Sequence, residues 1–154
     1  RIKSEGHAMD EIDLDDIRID EKAYGKSSSL IKGVVAKFIE KGYKVSGFDA
    51  YTTSNVLKGS GMSSSAAFEV LVGTMINNLF ANGEVSGVEI AQIGQYAENV
   101  YFGKPCGLLD QMACSVGNMV AMDFASTEKP VVEKIDFSLI CSVPCREIFN
   151  ILLS

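Results

Sequence analysis

Apolar positions recur every three to four residues over three stretches of the chain and alternate with polar ones over several shorter stretches. In "SSSLIKGVVAKFIEKG", Leu30, Val34 and Phe38 share a face with Ile31 and Val35, and Gly42 supplies a stop, so the spacing predicts a core-facing helix from Ser27. From Ser64 to about Phe80, Ala67, Val70, Leu71, Thr74, Met75 and Leu79 repeat at helical spacing, ended by Asn82-Gly83. Ser86 with Glu89 three positions later forms a capping box. Ile90, Ile93, Ala97, Val100 and Tyr101 then make the stripe of a third helix, which Gly103 and Pro105 terminate. Residues 1–14 read as two short strands around a turn near Gly6. In "YKVSGFDAYTT", Phe48, Ala50 and Thr52 alternate against Gly47, Asp49 and Tyr51, which predicts a strand. "CGLLDQMACSVG" gives a loop and a short helix, "NMVAMDF" and "VVEKIDF" give two strands around the polar turn "ASTEKP", and "SLICSV" reads as a third. No repeat or linker divides the chain, and strands mixed with helices without strict alternation predict an α+β layered domain.

Composition narrows the partners. With 154 residues, 47% hydrophobic and 22% charged, the chain is long enough to bury one core. A net charge of -6 and a pI near 4.8 argue against nucleic acid and anionic membranes as partners, because both need a basic surface. The acidic stretch "DEIDLDDIRIDE", residues 10–21, reads as a solvated strand or turn face, since calcium loops need a glycine and a terminal acid at fixed spacing. Cys106, Cys114, Cys141 and Cys145 include no C-x-x-C pair, and His7 is the single histidine, so a standard structural zinc site is not expected. Reduced, buried thiols in a cytoplasmic protein are the simplest account. No apolar run approaches the ~20 residues of a membrane-spanning helix, and no basic-then-apolar signal pattern opens the chain. The chain begins at Arg1, and "RIKSEG" already alternates like a strand, so it reads as starting inside a longer protein.

The densest candidate chemistry lies in "KGSGMSSSAAFEV", residues 58–70, where a Gly/Ser loop enters a helix. Glycines let successive backbone N–H groups converge on an anion, and the helix N-terminus adds its positive end. The same loop is equally an ordinary serine N-cap. No Lys-Ser or Lys-Thr follows the last glycine, so it is not a Walker A loop. Glu98 lies on the third helix beside its apolar stripe, near Gln95 and Phe102, in position to point along an edge; a serine hydroxyl and a glutamate would suffice for magnesium bound to nucleotide phosphates, and a solvated helix face is the alternative. Asp110 precedes the apolar start of a short helix, either as an N-cap or beside a substrate hydroxyl. With His7 the only histidine and no G-x-S-x-G, serine hydrolysis is disfavoured.

Taken together, "GSGMSSSAA", "AENVYFGKPCGLLDQMACSVGN" and "MDF" resemble the galactokinases of the GHMP small-molecule kinase family. The first segment resembles the family's phosphate-binding signature Gly-x-Gly-Leu-Ser-Ser-Ser-Ala, with Met62 in place of leucine; the second, with "PCGLLDQ", points to galactokinase within the family. The resemblance implies ATP and Mg²⁺ as cofactors and galactose as substrate. Gly59, Ser60, Gly61, Met62, Ser63 and Ser64 would then line the phosphate loop together with Ser65. The Ser65 hydroxyl and the Glu98 carboxylate would hold magnesium, Asp110 would be the catalytic aspartate at the anomeric hydroxyl, and Gly107 would approach the sugar. The implied reaction moves the γ-phosphoryl group of ATP to O1 of galactose. The implied fold is the two-layer N-terminal lobe of a GHMP kinase, similar to domain 2 of ribosomal protein S5.

The resemblance covers residues 1–140, expected to form an ATP-binding N-terminal domain incomplete at its start; 141–154, "CSVPCREIFNILLS", departs from the family pattern. The family's N-terminal signature, Gly-Arg-x-Asn-x-x-Gly-Glu-His-x-Asp-Tyr, is absent, and His7 in "SEGHAMD" does not match it. The C-terminal lobe, an intramolecular partner in the family, is also absent, so little kinase activity is expected of this polypeptide alone. The alternatives are a kinase for N-acetylgalactosamine, mevalonate or homoserine, of which "PCGLLDQ" speaks against the last two, and a galactose- and ATP-binding regulator without turnover.

Overall fold

β1 (Ile2–Ser4) lies at the centre of a three-stranded sheet, because it is the one strand with both edges paired. In this computed structural model, which describes residues 1–56, 61–126 and 129–135, β2 (Met9–Asp10) returns antiparallel along one edge. β3 (Ala50–Thr52) runs parallel along the other, with Ile2 opposite Ala50 and Ser4 opposite Thr52. A parallel pair needs a crossover, and α1 (Ser27–Glu40) provides it. Of residues 10–21, expected as a solvated strand or turn face, 11–20 form an irregular segment whose acids lie at the surface while Ile12, Leu14 and Ile17 pack on the core. A 3₁₀ turn (Glu21–Ala23), capped by Asp20, leads into α1.

Among the described residues, four α-helices form the second layer. α1 turns Leu30, Ile31, Val34, Val35 and Phe38 inward as their period predicts, and the chain leaves it through Gly42 at φ +94°. α2 (Ser64–Phe80) has the expected bounds but not the expected face. Its buried side is Ala66, Glu69, Val70, Val72, Gly73, Ile76 and Asn77, while Leu71 and Leu79 are 39% and 57% exposed. The stripe of large apolar side chains misled because the crowded side needs small and polar residues. A Cβ on Gly73 would come within 3.0 Å of Ile90 Cγ2, and Asn77 exchanges two hydrogen bonds with the Val85 backbone.

α3 (Gly87–Tyr96) starts at the expected capping box, Ser86 and Glu89 each bonding the other's backbone N–H. It does not continue as one helix. A π-helical turn (Ala97–Tyr101) follows, before Gly103 turns the chain at φ +75°. α4 (Leu109–Val116) then packs against α2 and α3.

The expected strand over 43–53 shrinks to β3, since β1 offers only three residues to pair with it. Phe48 reaches the core from irregular backbone instead. β4 (Val120–Asp123) and β5 (Val131–Lys134) form an antiparallel ribbon with Met122 opposite Val132, as the two apolar runs predict. It covers a small cluster of Ala91, Leu108 and Met112. "SLICSV", the expected third strand, lies outside the described residues. Among the described residues, a three-stranded sheet, a helical layer and the two-stranded ribbon make an α+β arrangement. Among the described residues no helix is long and apolar enough to cross a membrane.

Candidate active site

The Gly/Ser loop delivers its serines to the start of α2 through two left-handed residues, Gly61 at φ +76° and Ser63 at φ +47°. Side chains rarely adopt that region, so a glycine at 61 is explained by backbone and not by crowding: a Cβ there would meet nothing within 4 Å. Ser63 is the N-cap residue by position, but its side chain makes no capping bond and the first turn of α2 carries no acid. The Ser63 hydroxyl instead donates to Asp110 Oδ2, 47 residues away. The plain N-cap reading of the serines is thereby corrected. Met62 is 51% exposed and Ser64 is exposed, whereas Ser65 turns partly inward. Gly59 and Ser60, the first residues of the expected phosphate loop, lie outside the described residues.

Ser65 meets Glu98, its Oγ donating to Glu98 Oε1 over 3.0 Å. Glu98 is the second residue of the π-helical turn and is 2% exposed, so the expected edge position is corrected and the alternative of a solvated helix face does not hold. The wider turn lodges the carboxylate between α2 and α4, and such turns occur often at functional sites. Lys104 Nζ donates to the same Oε1 over 3.0 Å, while Gln111 Nε2 donates to Oε2 over 2.8 Å. Burial alone would raise the Glu98 pKa, but hydrogen bonds from Cys106, Lys104 and Ser65 outweigh it and hold the carboxyl below its ordinary value.

A second carboxyl, Glu69 on α2, is 1% exposed and accepts from the same Gln111 Nε2 over 3.1 Å. Burial first, and the Glu98 charge second, push its pKa up to about 8. The two glutamates therefore differ near neutrality, Glu98 ionised and Glu69 protonated.

Asp110 is exposed in the first turn of α4, where Leu108 and not Asp110 is the N-cap residue, which corrects the simple capping alternative. Gly107 is exposed on the preceding loop, and open space surrounds the position of its absent side chain. That loop is tied down by Cys106, whose N–H donates to Asn99 Oδ1 over 2.6 Å and whose carbonyl accepts from Gln95 over 3.3 Å. His7 is exposed in the turn between β1 and β2, and among the described residues no backbone bond joins it to the serine loop.

The structure thus brings together Ser65 and Glu98, the pair expected from two distant segments, and adds a contact that was not expected, Ser63 to Asp110. Sequence reasoning missed Glu69, Gln111 and Lys104. The signal for Glu69 was its register: it falls with Ala66, Val70 and Gly73 on the side where small residues mark close packing. Among the described residues no group of three or more His, Cys, Asp or Glu could hold a metal by itself.

The family model for the GHMP kinases N terminal domain matches residues 29–118, more than half of the chain. Curated galactokinases are similar over about 70% of it: that of Clostridium tetani is 44% identical over 106 residues, covering 69% of this chain and 26% of that protein. That of Bacillus subtilis is 38% identical over 108 residues, covering 70% and 27%. That of Pyrococcus furiosus is 36% identical over 113 residues, covering 73% and 32%. The crystal structure of Lactococcus lactis galactokinase complexed with galactose superposes with a TM-score of 0.70 at 30% identity, over 88% of this chain and 36% of that one. The chain spans between a quarter and a third of the length of these curated relatives. Matched from the start of α1 through α4, including the Gly/Ser loop and the loop before α4, the chain belongs to the GHMP kinase family.

Proposed function

We propose that this chain supplies the phosphate-binding and acceptor-binding side of a galactokinase, which transfers the γ-phosphoryl group of ATP to O1 of galactose. The single observation that carries the reading is the convergence of two hydrogen bonds, Ser63 to Asp110 and Ser65 to Glu98, which join the serine loop to the acceptor loop. The similarity to galactokinases, one of them a complex with galactose, supports the sugar. A C-terminal lobe would be the intramolecular partner that completes the enzyme.

In this reading the loop from Gly59 to Ser65 receives the phosphates, with the uncapped N–H groups of α2 and the left-handed turn at Gly61 directed toward them. The donor set fits a magnesium ion delivered with the nucleotide. Glu98 is ionised, its Oε1 lies 3.0 Å from the Ser65 hydroxyl oxygen, and one or two protein oxygens are what Mg²⁺ takes beside phosphates. Ser65 and Glu98 would hold that ion, whose chemistry is neutralisation of phosphate charge. Asp110 accepts a hydrogen bond from a hydroxyl group in the present structure, that of Ser63, and the same oxygen would accept one from the sugar's anomeric hydroxyl. It would orient that oxygen for in-line attack and take up its proton. Gly107, with no side chain in the way, would let the sugar reach the loop backbone.

Calorimetric titration of the chain with Mg-ATP and then with galactose tests this. Magnesium-dependent nucleotide binding, weakened at least about tenfold in S65A and E98Q, is the expected outcome. Absence of any magnesium-dependent nucleotide binding would sink the reading. A panel of galactose, N-acetylgalactosamine, mevalonate and homoserine with γ-labelled ATP decides the acceptor, and little turnover is expected from these 154 residues alone.

A further inference from the structure

Behind the Ser65–Glu98 pair sits a polar cluster that no role above accounts for. Glu69 and Gln111 are each 1% exposed, on α2 and α4 respectively. Gln111 Nε2 has two N–H groups and lies 2.8 Å from Glu98 Oε2 and 3.1 Å from Glu69 Oε2. Its more distant neighbour, Cys106 Sγ at 3.5 Å, is the weaker acceptor. The amide nitrogen thus bridges the two carboxyl groups. Room for the bridge comes from α3: a Cβ on Gly94 would stand 3.2 Å from Glu69 Cβ and 3.3 Å from Gln111 Cγ.

Stability is a poor reason to keep this cluster. Among the described residues, Glu69 Oε1 and Gln111 Oε1 are buried without a hydrogen-bond partner, a costly arrangement for a helical core. Apolar residues of similar volume often stabilise such positions. What the cluster does achieve is directional. The Glu98 carboxylate is a plane with two oxygens; fixing Oε2 toward Gln111 leaves Oε1 facing Ser65 and Lys104. With Oε2 released, the carboxylate rotates about its last bond, because such terminal torsions are broad.

We propose that Glu69 and Gln111 are positioning residues: Glu69 anchors the Gln111 amide, and that amide fixes the Glu98 carboxylate with Oε1 presented to Ser65. Neither touches a ligand. The inference rests on the kinase reading only for what Glu98 is there to hold. The orientation itself belongs to the free chain.

The test begins without nucleotide or metal. In the unsubstituted chain, carbon-detected NMR is expected to show couplings across hydrogen bonds from the Gln111 side-chain nitrogen to the δ-carbons of both Glu69 and Glu98. Absence of both couplings overturns the proposal without any variant having to fold. E69L is expected to stay folded, to shift and broaden the Glu98 δ-carbon resonance, and to weaken Mn²⁺-ATP binding about tenfold, the scale seen when residues supporting a metal ligand are removed. E69Q keeps an acceptor for the Gln111 amide and is expected to restore both the resonance and the affinity. A folded E69L with the Glu98 resonance unmoved, or E69Q as impaired as E69L, would overturn it. If the unsubstituted chain fails to bind Mn²⁺-ATP, the kinase reading falls while the NMR result still decides the positioning role.

Discussion

At the scale of single residues, the site separates groups that are chemically poised from groups that are inert. Cys106 lies against Glu98, and burial first, then its hydrogen bond to that carboxylate, push the thiol up to about 12. At pH 8 that leaves about one thiolate in ten thousand, against about one in ten for a cysteine at its ordinary value near 9, and only the thiolate reacts. Iodoacetamide at pH 8 is therefore expected to label Cys106 about a thousandfold more slowly than a free cysteine, measured by peptide mass mapping over time. Labelling at the ordinary rate would show that the Cys106 loop is not held against Glu98. Cys114 is shifted upward as well, by burial and then by Asp110, so it too is expected to resist. The thiols in and behind the loop before α4 read as packing atoms and not as nucleophiles.

At the scale of elements, the π-helical turn is the feature on which the site depends, and its support comes from α1. A Cβ on Gly33 would stand 2.8 Å from both Cα and Cβ of Ala97, the first residue of the turn. A backbone carbon cannot swing aside as a flexible side chain can. Gly33→Ala gains about 1 kcal/mol of helix propensity, whereas overpacking costs about 1–3 kcal/mol and here meets backbone. The expected net result is a Tm lower by several degrees, together with weaker Mg-ATP binding because Glu98 moves with the turn. A Tm at or above that of the unsubstituted chain would show that the two helices separate freely.

The same elements show what was legible beforehand. α1, the α2 bounds and the α3 capping box follow from local period and local capping, which a sequence displays directly. The length of β3 depends on how much of β1 is available to pair, a nonlocal fact, so 43–49 could not be judged from their own alternation. The π turn has no sequence mark within AENVY, and a regular α-helical register places Glu98 on an open edge. The Ser65–Glu98 pair was foreseeable only as part of a family motif, and the Ser63–Asp110 bond was not foreseen at all. Glu69 was hidden because a carboxyl in an apolar helix is expected on the outside, and only the small neighbours Ala66 and Gly73 betray the buried side.

At the scale of the whole molecule, that buried glutamate makes stability depend on pH in a direction opposite to most carboxylates. Unfolded, Glu69 has its ordinary value near 4.5; folded, burial and the Glu98 charge place it at about 8. Between those values the folded chain holds one more proton than the unfolded chain at this position, so stability falls as pH rises through the window. The contribution is complete below about pH 4.5 and gone above about pH 8. Glu98 and Glu89 work the other way. Glu98 is lowered despite its burial, by its hydrogen bonds, and Glu89 is lowered first by Lys41 and then by Ser86, so both contribute above about pH 4.5 and are lost on acidification. The exposed pairs Arg1–Asp49 and Arg18–Asp16 share that direction but count for little, being screened by water. Cys106 and Cys114, with ordinary values near 9, enter only beyond the alkaline end of the window. The chain is accordingly expected to be most resistant to urea near pH 5 to 6, with the midpoint falling toward pH 8. In E69Q, where the amide cannot ionise, the alkaline limb should flatten, so that the variant overtakes the parent at pH 8 while differing little at pH 5. Equal midpoints for the parent at pH 5.5 and 8.5, unchanged by E69Q, would mean that Glu69 is ionised in the folded chain and that the core between α2 and α4 already accommodates two neighbouring charges.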